Sequence, residues 1–382
     1  MSCSFASSFR GRNVFVTGHT GFKGSWLALW LERLGARVTG YSLAPTTETN
    51  NFELTSLADR IAAHHLNDVR DGRALEAALR QAQPDVVFHL AAQPLVRAGY
   101  DFPHETFETN VMGTTNLLEA LRVIGKPCSV VIVTTDKCYE NAEQVWGYRE
   151  TDRLGGHDPY SASKAAAEIV ASCYRSAYFA RESAEDHGIR VATARAGNVI
   201  GGGDWSKDRL ITELVRCIRC GESVSLRYPK AVRPWQHVLE PLSGYLHLAG
   251  RLLEDGDPAL CNAWNFGPIP GEELRVDEIS DMFIDLWGKG HWRDTSSSFH
   301  PHETGVLRLC IDKAVWQLGW RPRWHMPDAI ARCVRWFKNH YSGGDAAEEC
   351  YTDIADYERA HAVDVAPADP LPRVHRPSAR VA

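Results

Sequence analysis

The chain reads as an α/β protein built on a doubly wound parallel sheet. Three observations predict this: short apolar runs recur through the first 200 residues, helical patterns separate them, and the runs are continuous in Val and Ile. Strands alternating with helices make parallel βαβ units, and strands covered on both faces lose the polar alternate.

The elements follow in order. NVFVT (13–17) is the first strand, a helix over 23–34 is stopped by Gly35, and RVTGYSL (37–43) is the second strand. DVVFHL (85–90), SVVIVTT (129–135) and IRVATARAGNVI (189–200) continue the series, with helices expected over 72–82, 104–124 and 160–180. After residue 200 the rhythm changes to GGGDW, RPWQHV, NFGPIPGEEL and GWRPRW, separated by shorter helices, which predicts a smaller α/β unit. We expect a first domain over 10–200 with a later segment returning to it, a second over 201–360, and a disordered proline-rich tail over 362–382.

Composition narrows the function. The 382 residues are 44% apolar and 24% charged with a net charge of -6, which argues against a nucleic-acid or anionic-membrane surface. No apolar run is long enough to span a bilayer and no signal peptide opens the chain, so a cytoplasmic protein is expected. The ten cysteines follow no disulfide framework and read as reduced thiols. Cys217 and Cys220 form a lone CxxC in a helical context, and His300 and His302 have no ligand partner at helical spacing, so no metal site is expected.

The first strand runs into VTGHTGFKGSWLALWL, which puts Gly18, Gly21 and Gly24 at a strand-to-helix turn. Glycines there allow the backbone to approach a pyrophosphate at the helix amino end. The loop residues Gly18, Thr20, Gly21, Phe22, Lys23 and Gly24 are the candidate dinucleotide contacts. The acidic residue that usually ends the second strand is replaced by Tyr41-Ser42-Leu43. Hydroxyls, backbone or water must hold the adenosine ribose, and NAD and NADP both stay open. Asp68 with Val69 either accepts from an adenine amino group or caps the helix that follows.

Asp158-Pro159-Tyr160-Ser161-Ala162-Ser163-Lys164 opens a helix and places Tyr160 and Lys164 one turn apart on one face. An ammonium beside a phenol lowers its pKa, as a tyrosine base requires. Thr135, Asp136 and Lys137 leave the end of a strand together, either as a solvated turn or as an acid and base.

The loop TGxxGxxG, HLAAQ (89–93), TTD after a strand and YxxxK together resemble the extended short-chain dehydrogenase/reductase family acting on nucleotide-diphosphate sugars. GHTGFKGSWL, TTDKCYEN, RAGNVIGGGDW and AVRPWQHVLEPLSGYL resemble its 4,6-dehydratases, and a lysine at 137 is a feature of the CDP-sugar branch. The resemblance covers about residues 10 to 360. It implies a Rossmann-type sheet with a smaller C-terminal substrate-binding domain, and a tightly bound NAD regenerated in each turnover. Leu90, Ala91 and Ala92 join the cofactor contacts.

By the same resemblance, Tyr160 takes the proton of the sugar 4-hydroxyl, Lys164 holds the nicotinamide ribose, and Thr135 bonds near the 4-oxygen. Elimination across carbons 5 and 6 then needs Asp136 as acid and Lys137 as base, or Lys137 as an electrostatic stabiliser of the enolate. Asn198, Arg209 and Arg233 hold the diphosphate, and Leu226 to Tyr228 line the base pocket. Cys310 stands where an acidic residue is expected. The resemblance implies a homodimer or homotetramer through the helices around 104–124 and 160–180. A 4-epimerase needs Tyr160 and Lys164 but no acid–base pair at 136 and 137, and a non-catalytic dinucleotide sensor needs none of them.

Overall fold

The computed structural model describes residues 5–179, 188–297 and 304–363. The apolar runs form β1 (Asn13–Thr17), β2 (Arg37–Ser42), β3 (Ala63–Leu66), β4 (Val86–His89), β5 (Cys128–Val133), β6 (Ile189–Ala196) and β7 (Ala263–Phe266). They make one sheet in the order β7-β6-β5-β4-β1-β2-β3, with every pair parallel. Strand order reverses between β1 and β4, where Thr17 stands opposite His89. In such a sheet the ligand crevice opens beyond the carboxyl ends of the strands at that reversal.

The helices that position the site are α1 (Phe22–Arg33), α2 (Gly72–Ala82), α3 (Pro103–Phe107), α4 (Gly113–Ile124) and α5 (Pro159–Ala177). The helix expected over 104–124 is broken: Glu108–Met112 forms a π turn between α3 and α4. The strand expected over 189–200 also divides. It ends at Ala196, and Val199–Ile200 pairs instead with Gln236–His237. A side chain at Gly197 would meet Pro234 at 2.4 Å, so the chain can turn there only without a Cβ. The strand expected over 129–135 stops at Val133, and Asp136–Cys138 makes one 3-10 turn. Strand β3 was not anticipated; its AHHL sequence is half-buried at a sheet edge and lacks the Val/Ile signature.

After residue 200 come α6 (Leu210–Cys220), α7 (Leu239–Glu254), α8 (Val276–Trp287), α9 (Met326–Tyr341) and α10 (Ala346–Val363), with three two-stranded pairings. The Cys217 and Cys220 pair lies on α6 with Cys217 buried and Cys220 exposed. His300 and His302, and residues 364–382 of the expected tail, lie outside the described residues. Among the described residues no helix is long and apolar enough to cross a membrane, and no cluster of three metal-ligating side chains occurs.

The last helix packs on the first. Trp30 Nε1 and the Arg33 guanidinium donate to Glu358, and Tyr351 donates to Glu32. Tyr357, fully buried, donates to Glu240 Oε2 on α7 at 2.6 Å. The backbone amides of Arg323 and Trp324 also donate to Glu240. Burial nevertheless pushes its carboxyl up to about 7. Glu240 therefore binds its proton more tightly folded than unfolded, and this group contributes a loss of stability as pH rises from about 4.5 to about 7. Glu240→Gln should remove that contribution. Relative to the variant, the parent should lose on the order of 2–3 kcal/mol between pH 5 and pH 8, read from urea midpoints; parallel pH curves would refute the assignment.

Candidate active site

At the strand-order reversal the glycine loop is pressed against the chain leaving β4. A Cβ on Gly18, whose φ is +75°, would lie 2.7 Å from the Ala91 nitrogen, and one on Gly24 would lie 2.0 Å from the Gly18 carbonyl oxygen. Thr17 Oγ1 ties the two segments, accepting from the Leu90 and Ala91 amides at 3.1 Å each and bonding His89 Nδ1 at 2.8 Å. The loop thus meets Leu90 and Ala91 at one crevice, with Ala92 next along the chain. Helix α1 opens at Gly21 with no side-chain cap and no acidic residue in its first turn. Its amino end offers backbone donors and partial positive charge to an anion. This cradle, which a Cβ would fill, fits a dinucleotide pyrophosphate.

At the end of β2, where no acid stands, Thr20 Oγ1 and Ser42 Oγ bond at 2.8 Å, and Thr20 donates to the Leu43 carbonyl. Hydroxyls therefore stand at the end of β2 in place of the usual acid. Asp68 does not cap α2; Asp71 does, accepting from the Ala74 amide at 3.0 Å. The Asp68 carboxylate instead receives the Arg70 guanidinium at 2.8 and 2.6 Å. Val69 is buried against Gly113.

The polar end of β5 is no solvated turn. Thr135, Asp136, Tyr160 and Lys164 are all buried. Thr135 Oγ1 donates to Asp136 Oδ1 at 3.0 Å and draws the pKa of the nearby Tyr160 phenol down. The Lys137 ammonium lies 3.5 Å from Asp136 Oδ1 and 3.4 Å from Asn198 Oδ1, so Asn198 joins this cluster. Asp136 Oδ2 is buried without a hydrogen-bond partner, facing Gly197.

Electrostatics depart from expectation at Tyr160. Burial pushes its phenol up to about 12 against the pull of Thr135 and of the Arg209 guanidinium. Lys164 does not supply the expected lowering: its Nζ donates to the Val133 carbonyl at 3.1 Å, and burial brings its own pKa down to about 8. Arg209, half-buried just before α6, acts on both Tyr160 and Lys23. Arg233 is buried, and its Nη1 donates to the carbonyls of Val232 and Gly305. Leu226 closes a short strand, Val224–Leu226, beside Trp292–Asp294. Cys310 sits on the backbone of Tyr148.

Tyr245, Glu168 and Arg195 escaped the sequence reading. Lys23 reaches beyond the glycine loop to donate to Tyr245 in the middle of α7 at 3.3 Å, and burial lowers it to about 7; nothing in the spacing marks Tyr245. Glu168, one turn past Lys164, and Arg195 on β6 form a buried ion pair at 2.8 Å. The four-residue step from Lys164 was the available signal for Glu168.

A CDP-glucose 4,6-dehydratase of Salmonella typhimurium is 47% identical to this chain over 92% of it and 98% of that protein. A CDP-paratose 2-epimerase of Salmonella typhi is 30% identical over 85% of this chain and 98% of its own length. Among solved structures, a dTDP-glucose 4,6-dehydratase from Streptomyces venezuelae with NAD and TYD bound superposes with a TM-score of 0.74. It covers 87% of this chain and 99% of its own at 24% identity, a likeness of fold. The profile of the family described as GDP-mannose 4,6 dehydratase matches residues 15–333, and the chain belongs to that family.

Proposed function

We propose that the protein is a lyase that converts CDP-D-glucose to CDP-4-keto-6-deoxy-D-glucose and water, with NAD as its resident cofactor. The observation that carries the reading is the near-full-length 47% identity to a CDP-glucose 4,6-dehydratase, in a chain that keeps Asp136 and Lys137 beside Thr135 and Tyr160. NAD held in the glycine-loop crevice supplies the hydride acceptor for carbon 4 and the hydride donor for carbon 6.

The side chains do the remaining work. Thr135 orients the 4-hydroxyl, and Tyr160 takes its proton, with the Arg209 charge favouring the phenolate. The ketone at carbon 4 acidifies the proton on carbon 5. Asp136 and Lys137 then act as a pair. Moving one proton from Lys137 Nζ to the Asp136 carboxylate 3.5 Å away turns an ion pair into a neutral amine and a carboxylic acid. Those are the base for carbon 5 and the acid for the carbon-6 hydroxyl. We assign the substrate diphosphate to the Arg209 guanidinium and to Asn198, whose Oδ1 lies 3.4 Å from Lys137 Nζ. Arg233, whose Nη1 donates to two backbone carbonyls, is given the lesser part.

The enzyme works as a homo-oligomer. Phe102, Phe107, Met112 and Ile169 stand 40–60% exposed around α3, the π turn and α5, and a second copy laid on this face would cover them. The described cysteines are all unpaired, which fits the cytoplasm.

Purified protein with NAD should release one water from CDP-glucose, seen as product mass, and leave dTDP-, UDP- and GDP-sugars largely unconverted; an unchanged mass or turnover of another sugar alone overturns the reading. Lys137→Met should keep carbon-4 oxidation and lose exchange of the carbon-5 proton with solvent by at least ~100-fold, followed by NMR in deuterated buffer. Met112→Glu combined with Ile169→Glu should convert the oligomer to monomer in light scattering.

A further inference from the structure

Glu168 is fully buried on α5, one turn beyond Lys164. Its oxygens accept three hydrogen bonds: from Thr134 Oγ1 at 2.5 Å just beyond β5, and from Thr193 Oγ1 at 2.7 Å and Arg195 Nη2 at 2.8 Å on β6. Arg195 Nη1 continues to the Tyr139 hydroxyl at 2.8 Å, and that hydroxyl donates to Asn265 Oδ1 at 2.7 Å on β7. Asn265 Nδ2 in turn donates to the carbonyls of Tyr148 and Cys310. The chain of bonds runs from beneath the Tyr160–Lys164 helix to the segments at the far edge of the sheet.

We propose that Glu168 and Arg195 are positioning residues for carbon-4 oxidation: their ion pair fixes α5 on β5 and β6 and holds a negative charge one turn beneath Lys164. This rests on the reading of Lys164 as part of the oxidising site. A buried ion pair adds little stability over apolar packing of the same shape; what it adds is a charge at a fixed place. Burial lowers Lys164, and Glu168 is the foremost group opposing that. The other groups facing Lys164 are the Cys138 thiol after β5, His89 on β4 and Lys23 on α1. Burial keeps the thiol protonated and the imidazole neutral, and Lys23 repels. Glu168 itself stays ionised: burial opposes its charge, but Arg195 and the hydroxyls of Thr134 and Thr193 hold it below the usual carboxylate range.

The test follows Lys164 directly, by NMR of lysine-labelled protein titrated from pH 6 to 11, in parallel with the pH profile of CDP-glucose turnover. In Glu168→Gln the Lys164 titration should move down by about 1 pH unit, and the basic limb of kcat/KM should move with it. Because that variant leaves Arg195 unpaired, the double variant Glu168→Gln/Arg195→Met removes both charges; its Lys164 should shift the same way while thermal melting stays near the parent's. Glu168→Asp should return the titration toward the parent's. A Lys164 titration unchanged in the double variant, with only melting affected, shows a purely structural pair and overturns the proposal. Absence of turnover in the parent would count against the proposed reaction and leave the titration readable.

Discussion

Everything at the site is referred to one close approach, that of Gly18 to the backbone of Ala91. Two neighbouring parallel strands diverge here to opposite sides of the sheet, and a crevice opens only if the turns after them can pass without side chains between. The Gly18 position leaves no room for a Cβ against the Ala91 nitrogen, and Gly24 brings α1 down onto the same turn. Thr17 closes the arrangement with bonds to His89, Leu90 and Ala91. From that fixed point β5 lies next beyond β4, so Asp136 and Lys137 just past its end are held at a set distance from the cradle.

Much of this was legible because strands covered on both faces announce themselves as Val/Ile runs, and because a glycine turn between a strand and a helix has few other uses. The edges were not. Strand β3 carries two histidines and is half-exposed, and β7, with the sequence AWNF, is too short for periodicity to detect. The π turn at Glu108–Met112 leaves the helical pattern on both sides intact, so only the backbone reveals it.

At the site, residue identity was readable and charge balance was not. Tyr160 and Lys164 lie on one face as their spacing requires, yet burial dominates both, and the amine bonds a carbonyl of β5. Lys23 and Asp68 carry the same lesson in opposite directions. The first donates to a tyrosine on a helix more than 200 residues away, and the second is claimed by an arginine two positions along the chain. Spacing fixes which face a side chain occupies; the number of waters and charges left around it depends on elements far away in sequence.

The docking of α10 on α1 has a consequence for how the molecule is made. Trp30, Arg33 and Glu32 on the first helix meet Glu358 and Tyr351 on the last. During synthesis the glycine-loop helix therefore leaves the ribosome early with a bare face and must wait for almost the entire remaining chain before that face is covered. A chain cut short before residue 346 would leave Trp30, Glu32 and Arg33 without these partners and turn the tryptophan face of the first helix toward solvent.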